Sequence, residues 1–237
     1  MVYLKDAWWN DLSELRSRTD RVYAKVERNI WQVTAEKMIA LRKWEVKEEK
    51  LMPILEELGI YYVPKTMLPG PMFVFPEYDA MGKLTRAQTK PLHDLFGEGK
   101  YHTLGVKKEA FLGPVWLGNS DATLQKVLDT KSVLLVEGPF DLIATRLVTN
   151  APVMSSLTKS IGEKHEVYLR LLGVEQIYLM FDNETSEAGE RSASWLAKTL
   201  SIPTMLLTCP REDPSKCLET VPSKIKFKRS LIALETT

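Results

Sequence analysis

Acidic residues follow two short apolar segments of the chain. The first segment runs from Val133 to Val136 and leads into Glu137-Gly-Pro-Phe-Asp141, and the second, Ile177-Tyr-Leu-Met-Phe181, leads into Asp182-Asn-Glu184. Short, continuous apolar runs are typical of strands that are buried on both faces of a parallel sheet. In open α/β sheets, ligands bind at the carboxyl ends of the strands. We therefore expect these carboxylates to lie at a functional edge.

The carboxylates have the chemistry of a metal site. Neighbouring parallel strands end on the same edge, so Glu137, Asp182 and Glu184 are predicted to converge. Asp141 lies one helical turn after Glu137, and Asp213 follows the last predicted strand. Carboxylates brought together repel one another unless a cation neutralises them, and hard oxygen ligands suit Mg²⁺ or Mn²⁺. Such an ion would polarise a phosphoryl group. A single acid at a strand end would more simply cap a helix or face solvent.

The elements that position these acids alternate regularly from residue 132 onward. Strands are predicted at 133–136, 152–155, 176–181 and 203–207, and helices at 140–148, 162–172, 187–200 and about 214–220. Short loops and regular alternation indicate a parallel sheet with helices on its faces. The fold class is therefore predicted to be α/β.

A small α+β region is predicted before the parallel sheet, at residues 60–130. Strands are expected at 61–63, 72–75 and 83–89, with proline and glycine in the connections. Its exposed face would carry Arg86, Lys90, Lys100 and Tyr101. Taken alone, basic residues of this kind are more often a solvated face than a binding site.

The two ends of the chain complete the predicted organisation. Residues 1–59 are predicted to be helical, over 6–33, 35–48 and 53–59, with Pro53 opening the last helix, and nothing there indicates chemistry. The parallel-sheet domain is predicted at 131–221. Residues 222–237 are predicted to be a basic tail, because the segment from Lys224 to Arg229 holds four cations and no acid.

Composition sets broad limits on function. The hydrophobic fraction of 44% and the charged fraction of 27% are ordinary for a globular protein, and a net charge of +1 neither requires nor excludes nucleic acid. No apolar run approaches a membrane span, and no secretory signal pattern is present. Two cysteines without a Cys-x-x-Cys arrangement favour neither a disulfide scaffold nor structural zinc. We expect a cytoplasmic protein, in a bacterial cell or a phage-infected host.

The acidic motifs resemble those of the TOPRIM domain, which bacterial-type primases, topoisomerases and some nucleases share. The similarity rests on Val133–Asp141, on Phe181–Glu184 followed by Glu187-Ala-Gly189, and on Asp213-Pro-Ser215. Upstream, Phe73-Val-Phe-Pro76, Lys100-Tyr101 and Gly113–Gly118 resemble the subdomain that precedes TOPRIM in bacterial and bacteriophage primases. The second motif departs from the family pattern, because it reads Asp-x-Glu in place of Asp-x-Asp, and Glu187 is a possible substitute ligand.

The resemblance implies a primase catalytic core that makes short RNA primers on single-stranded DNA. Glu137, Asp182 and Glu184 would be catalytic and would hold Mg²⁺ or Mn²⁺, with Asp141 and Asp213 as further ligands. Arg86, Lys90, Lys100 and Tyr101 would contact template and ribonucleoside triphosphates. The chain shows no cysteine-rich zinc module and no Gly-x-x-x-x-Gly-Lys-Ser/Thr loop. A replicative helicase and a separate start-site recognition protein are therefore the expected partners, in a bacteriophage-like replication system.

Two other interpretations remain open from the sequence. A TOPRIM nuclease would use the same carboxylates to cut a strand, although simpler TOPRIM nucleases lack the upstream subdomain. A non-catalytic, nucleic-acid-binding replication accessory protein is suggested by the Asp-x-Glu departure.

Overall fold

Two helices form the beginning of the described structure. The computed structural model describes residues 30–64, 71–78, 84–92, 102–105, 116–157, 161–182, 199–231 and 234. Helix α1 spans Ile30–Arg42, so it crosses the break that we predicted near residue 34; most of the helix predicted over 6–33 lies outside the described residues. Helix α1 ends well before residue 48, because Lys43 adopts a left-handed conformation (φ 52°) and Trp44 turns into the core.

Helix α2 spans Glu48–Leu58, and its start corrects the prediction that Pro53 opens it. Pro53 lies inside the helix, and two glutamates occupy the first turn, where they interact favourably with the helix dipole. The helix buries Leu51, Leu55 and Leu58, whose spacing of four and three residues places them on one face. Gly59 ends the helix in a left-handed conformation (φ 64°), as predicted.

Four antiparallel strands form the first sheet, in the order β1-β2-β3-β4. They are β1 (Tyr61–Val63), β2 (Met72–Tyr78), β3 (Leu84–Pro91) and β4 (His102–Gly105). On β3, Thr85, Ala87 and Thr89 are buried, while Arg86, Gln88 and Lys90 are half-buried on the other face. The hydroxyl of the buried Thr85 donates to the carbonyl of Glu77 at 3.1 Å.

The second sheet confirms the predicted α/β architecture. Its strands are β5 (Ser132–Val136), β6 (Val153–Ser155), β7 (Gln176–Met180) and β8 (Thr204–Leu206), which are all parallel and lie in the order β6-β5-β7-β8. Helix α3 (Asp121–Thr130) precedes β5, α4 (Pro139–Arg146) connects β5 to β6, and α5 (Glu163–Leu171) connects β6 to β7. Nearly all of the helix predicted over 187–200 lies outside the described residues.

The two faces of the parallel sheet contribute to different hydrophobic clusters. Leu134, Val136 and Met180 pack in a cluster with α1, α2, α4 and the antiparallel sheet. Residues that alternate with them, Val133, Leu135 and Leu179, pack with α3 and α5. Because successive strand residues point to opposite faces, this alternation explains why the strands are apolar throughout.

A short segment joins the two sheets. Trp116 exchanges backbone hydrogen bonds with Tyr78 at the end of β2 (3.2 and 3.3 Å), and Leu117 exchanges two with Ser155 at the end of β6 (3.1 and 2.9 Å). Gly118 follows at φ 91°, where a Cβ would lie 3.1 Å from the carbonyl oxygen of Val153. The two sheets are therefore fixed relative to each other close to the carboxyl ends of the parallel strands.

Two helical segments follow β8 in the described part of the chain. A 3-10 helix spans Ser215–Leu218, within the helix that we predicted over 214–220, and helix α6 spans Val221–Ser230. Phe227 of α6 is fully buried, so the segment predicted to be a basic tail packs on the body of the protein. Among the described residues, no helix has the length and apolar character needed to cross a membrane.

Candidate active site

Glu137 and Asp182 lie at the same edge of the parallel sheet. Strands β5 and β7 are adjacent, and Val136 pairs with Met180 in the last position of their register. Glu137 follows directly after this pair, and Asp182 is two residues beyond it. Both side chains are half-buried, while Oε2 of Glu137 and Oδ1 of Asp182 are each shielded from solvent. The adjacency of β5 and β7 thus places both acids at one edge of the sheet.

Asp141 is held by backbone N–H groups at the start of α4. Its Oδ2 accepts a hydrogen bond from the N–H of Gly138 (3.1 Å), and its Oδ1 accepts one from the N–H of Ser215 (3.3 Å). A Cβ at position 138 would lie 2.8 Å from Oδ2 of Asp141. Glycine therefore follows Glu137 because the carboxylate of Asp141 approaches the backbone too closely for a side chain. Asp141 joins the strand end to the later loop that carries Asp213.

Asp213 lies in that loop, beside a cation from helix α1. Its Oδ1 accepts a hydrogen bond from the N–H of Lys216 at 2.7 Å, and Nη2 of Arg42 is 4.0 Å from the same oxygen. Arg42 also donates to the hydroxyl of Ser215 from Nε (2.8 Å) and from Nη2. Nε1 of Trp44 donates to the carbonyl of Ser215 at 2.8 Å. The last turn of α1 and the residues after it thus fix the loop that holds Asp213.

The negative charges at this edge act on one another. The pKa of Asp141 is raised well above its ordinary value, first by burial and then by the charges of Asp182 and Asp213. The two backbone N–H groups oppose that rise but do not overcome it. Because a cation would relieve the same repulsion, the donor set fits a hard divalent metal such as Mg²⁺ or Mn²⁺.

Within the described residues, no group of three or more His, Cys, Asp or Glu side chains is arranged to hold a metal ion. This is compatible with Mg²⁺, which keeps several waters and usually takes only one or two protein carboxylates.

Phe140 connects the acidic edge to the rest of the protein. Its ring makes edge-on contacts with Trp44 (6.3 Å between centroids), Phe73 (6.2 Å) and Phe75 (5.4 Å). The guanidinium of Arg42 lies 4.9 Å from the centre of the same ring, within the range of a cation–π interaction. Phe140 thereby brings together α4, the region after α1 and strand β2, immediately beside Asp141.

The described structure includes only some of the predicted site residues. Glu137, Asp141, Asp182 and Asp213 lie at the carboxyl edge as set out above, whereas Glu184, Glu187, Lys100 and Tyr101 lie outside the described residues. Arg86 and Lys90 lie on the same half-buried face of β3. Arg86 forms an ion pair with Glu77, its partner across the β2–β3 register, and only 17% of its side chain is exposed. A phosphate would therefore compete with Glu77 for Arg86.

Arg42 is the residue of this site that the sequence did not indicate. We expected no chemistry in the N-terminal helical region, and an arginine in the last turn of a helix is ordinarily explained by the helix dipole. Nothing in its spacing relates it to the acidic motifs, which begin almost a hundred residues later. Only the packing of Trp44 and Phe140 brings it to Asp213.

Comparison with known proteins finds similarity in structure only. No family model matches the chain, and no curated protein matches it. The RNA polymerase domain of Mycobacterium tuberculosis primase DnaG aligns with 94% of this chain and 83% of its own length, at a TM-score of 0.66 and 17% identity. The primase fragment of the bacteriophage T7 primase-helicase protein aligns with 81% of this chain and 71% of its own, at a TM-score of 0.56 and 19% identity.

A third structure shows the same architecture with a ligand. The DnaG primase catalytic domain bound to single-stranded DNA aligns with 88% of this chain and 73% of its own length, at a TM-score of 0.60 and 16% identity. At these identities the comparisons establish the fold. The chain has the fold of a primase catalytic core, and its acidic edge lies at the carboxyl ends of the parallel strands.

Proposed function

We propose that this chain is a primase catalytic core, a nucleotidyltransferase that makes short RNA primers on single-stranded DNA. Because one fold can support many functions, the proposal depends on the site as well as on the fold. The observation that carries it is the pairing of β5 with β7, which brings Glu137 and Asp182 to one edge, with Asp141 close enough to respond to the charge of Asp182. The primase structures that share the fold support this assignment.

The acidic edge would bind the metal, and the antiparallel sheet would bind the polyanion. Glu137, Asp182 and Glu184 would hold Mg²⁺ or Mn²⁺, with Asp141 and Asp213 supporting them. The bound ion would neutralise part of the negative charge on the incoming triphosphate. The half-buried face of β3 carries Arg86 and Lys90, which we propose as contacts for template or triphosphate phosphates, together with Lys100 and Tyr101.

The connection between the two sheets supports this division of roles. Trp116 and Leu117 bond to the ends of β2 and β6, so the basic face of β3 and the acidic edge are held in one body. Positioning of this kind lowers the barrier of a two-substrate reaction, because the reacting groups need not be brought together from solution. A nucleotide held by one sheet would thus meet the carboxylates of the other.

The test compares two isosteric substitutions at opposite edges of one sheet. Glu137→Gln removes a carboxylate from the acidic edge, whereas Glu175→Gln removes an exposed one just before β7, at the amino edge. Each protein is incubated with single-stranded DNA, ribonucleoside triphosphates and Mg²⁺ or Mn²⁺, and labelled RNA products are resolved on a gel. We expect short RNA from the unmodified chain and from Glu175→Gln, and a loss of at least a hundredfold in Glu137→Gln.

The other outcomes of this assay identify the competing functions. Degradation of the template without new RNA would show a nuclease that uses the same acids. Binding of DNA with no turnover by the unmodified chain, with either metal and with a helicase added, would show an accessory protein. We propose that duplex unwinding and start-site recognition are supplied by separate proteins, a replicative helicase among them. Adding the helicase is then expected to raise the yield of primers.

A further inference from the structure

Helix α6 presents a basic surface that the proposed catalytic site does not include. Four of its ten residues are cations, Lys224, Lys226, Lys228 and Arg229, and none is acidic. Lys226, Lys228 and Arg229 are exposed. Within the described part of the chain, none of the four forms an ion pair with an acidic residue. The surface therefore has the charge that complements a polyanion.

The helix is anchored on one side and presents its cations on the other. Phe227 and Leu231, four residues apart, are buried in the main hydrophobic cluster. Val221 and Ile225, also four residues apart, are about half exposed (53% and 49%) on a different face. At 100° per residue, the cations lie on both sides of this aliphatic pair. The exposed surface is thus an aliphatic strip between two rows of positive charge.

The position of α6 relates this surface to the acidic edge. Only the 3-10 helix of residues 215–218 and three further residues separate Asp213 from the start of α6. The N–H of Val221 donates to Oε2 of Glu45 (2.8 Å), and the N–H of Glu45 donates to the carbonyl of Leu218 (2.8 Å). These bonds tie α6 to the segment that follows Arg42, which itself contacts the Asp213 loop.

A further lysine extends the basic surface onto α2. The pKa of Lys224 is lowered, first by partial burial and then by the positive charge of Lys50, while Glu45 opposes the change. Two like charges are therefore held close together on the surface between α2 and α6. An anion at that place would relieve their repulsion.

We propose that α6 binds the sugar-phosphate backbone of single-stranded nucleic acid and provides a further binding surface for the strand outside the acidic edge. The inference rests on the proposed function, which makes nucleic acid the polyanion of this protein. A single strand fits the surface better than a duplex, because its unpaired bases offer apolar faces to the aliphatic strip. Ten helical residues span about 15 Å, which is long enough to contact more than one phosphate of a single strand.

The test measures binding without catalysis. A labelled single-stranded oligonucleotide is titrated with protein, and fluorescence anisotropy gives the dissociation constant at several salt concentrations. The variant combines Lys226→Gln, Lys228→Gln and Arg229→Gln, which keep helix propensity and leave the buried face unchanged. The matched control combines Lys126→Gln, Lys131→Gln and Lys164→Gln, three exposed lysines on and beside α3 and α5, which pack on the opposite face of the sheet.

The expected results follow from counterion release. Each phosphate contact to a single strand contributes about 0.7 to the slope of log affinity against log salt, so losing three should reduce the slope by about two. Affinity at low salt should fall at least several-fold for the α6 variant and change little for the control. Circular dichroism and thermal unfolding establish that both variants fold.

Two results would overturn the assignment. If the α6 variant binds the strand as the unmodified chain does, α6 does not contact it. If both triple variants lose affinity equally, net charge is responsible and not this surface. Failure of the unmodified chain to bind any single strand would instead refute the proposed function, and the assignment of α6 with it.

Discussion

Glu77 is a fully buried carboxylate whose protonation should control the stability of the antiparallel sheet. It is 0% exposed and lies opposite Arg86 in the register of β2 and β3. Burial raises the pKa of Glu77 from 4.5 to about 7, and the charge and hydrogen bond of Arg86 oppose this rise without cancelling it. Near neutral pH, the folded protein therefore holds a proton that the unfolded chain has already released.

The sign and size of the effect follow from linkage. Between pH 4.5 and about 7 the folded state binds more protons at Glu77 than the unfolded state does, so stability falls as the pH rises through this window. The stabilising contribution is fully present below pH 4.5 and is lost above about pH 7. With each unit of pKa worth 1.36 kcal/mol, the loss amounts to about 3 kcal/mol.

The assay is urea unfolding of the unmodified chain and of Glu77→Gln at pH values from 4.5 to 8. Glutamine keeps the shape of the protonated acid and does not titrate, so the difference between the two proteins isolates Glu77 from every other group. We expect the unmodified chain to lose about 3 kcal/mol relative to the variant between the two ends of the series. A difference that stays constant with pH would refute the reasoning, and one that grows in the opposite direction would show that Arg86 dominates.

Two predictions concern the acidic edge. Gly138→Ala places a Cβ 2.8 Å from Oδ2 of Asp141, so the carboxylate must move and lose its hydrogen bond from the backbone N–H of residue 138. We expect the free energy of unfolding in urea to fall by about 1–3 kcal/mol. The control is Gly162→Ala, where the nearest atom to a Cβ is 3.9 Å away, and we expect less than half of that decrease. Equal losses would contradict this account. Arg42→Ala removes two hydrogen bonds that Arg42 donates to the hydroxyl of Ser215, so the loop that carries Asp213 should be held less firmly. Because Asp213 is a proposed metal ligand, we expect the Mg²⁺ concentration for half-maximal primer synthesis to rise several-fold. Superimposable metal titrations of the unmodified chain, Arg42→Ala and Arg42→Lys would exclude this role.

The parallel sheet could be predicted because its signals are local. Short apolar runs, acids at their ends and regular alternation with helices fixed the order of the elements, and strand adjacency placed Glu137 beside Asp182. The predicted end of the helix at residue 48 was wrong, because Trp44 is buried in the core and α1 ends at Arg42. Propensity alone favoured continuation of that helix.

The basic residues show a second limit of sequence reasoning. Composition identifies cations, but it does not show which of them already have a partner. The family resemblance implied that Arg86 contacts phosphate, yet the structure pairs it with the buried Glu77. The cations of α6 were predicted to belong to a tail, because Phe227 inside the helix and Leu231 just after it are too few apolar residues to give a clear amphipathic pattern.

The short motif from Glu137 to Asp141 has a separate physical reason at each position. Glu137 directly follows the last residue of strand β5, Gly138 leaves room for the carboxylate of Asp141, and Pro139 begins the helix with a fixed φ. Phe140 then packs against Trp44 and Phe75, which belong to the two regions that precede the parallel sheet. The ring that packs against the preceding regions thus lies next to Asp141 in one turn of helix. Arg42 makes a second connection between the N-terminal helices and this edge, since it contacts both the ring of Phe140 and the loop that carries Asp213. Through Arg42 and Trp44, the N-terminal helical region therefore helps to position the acidic edge.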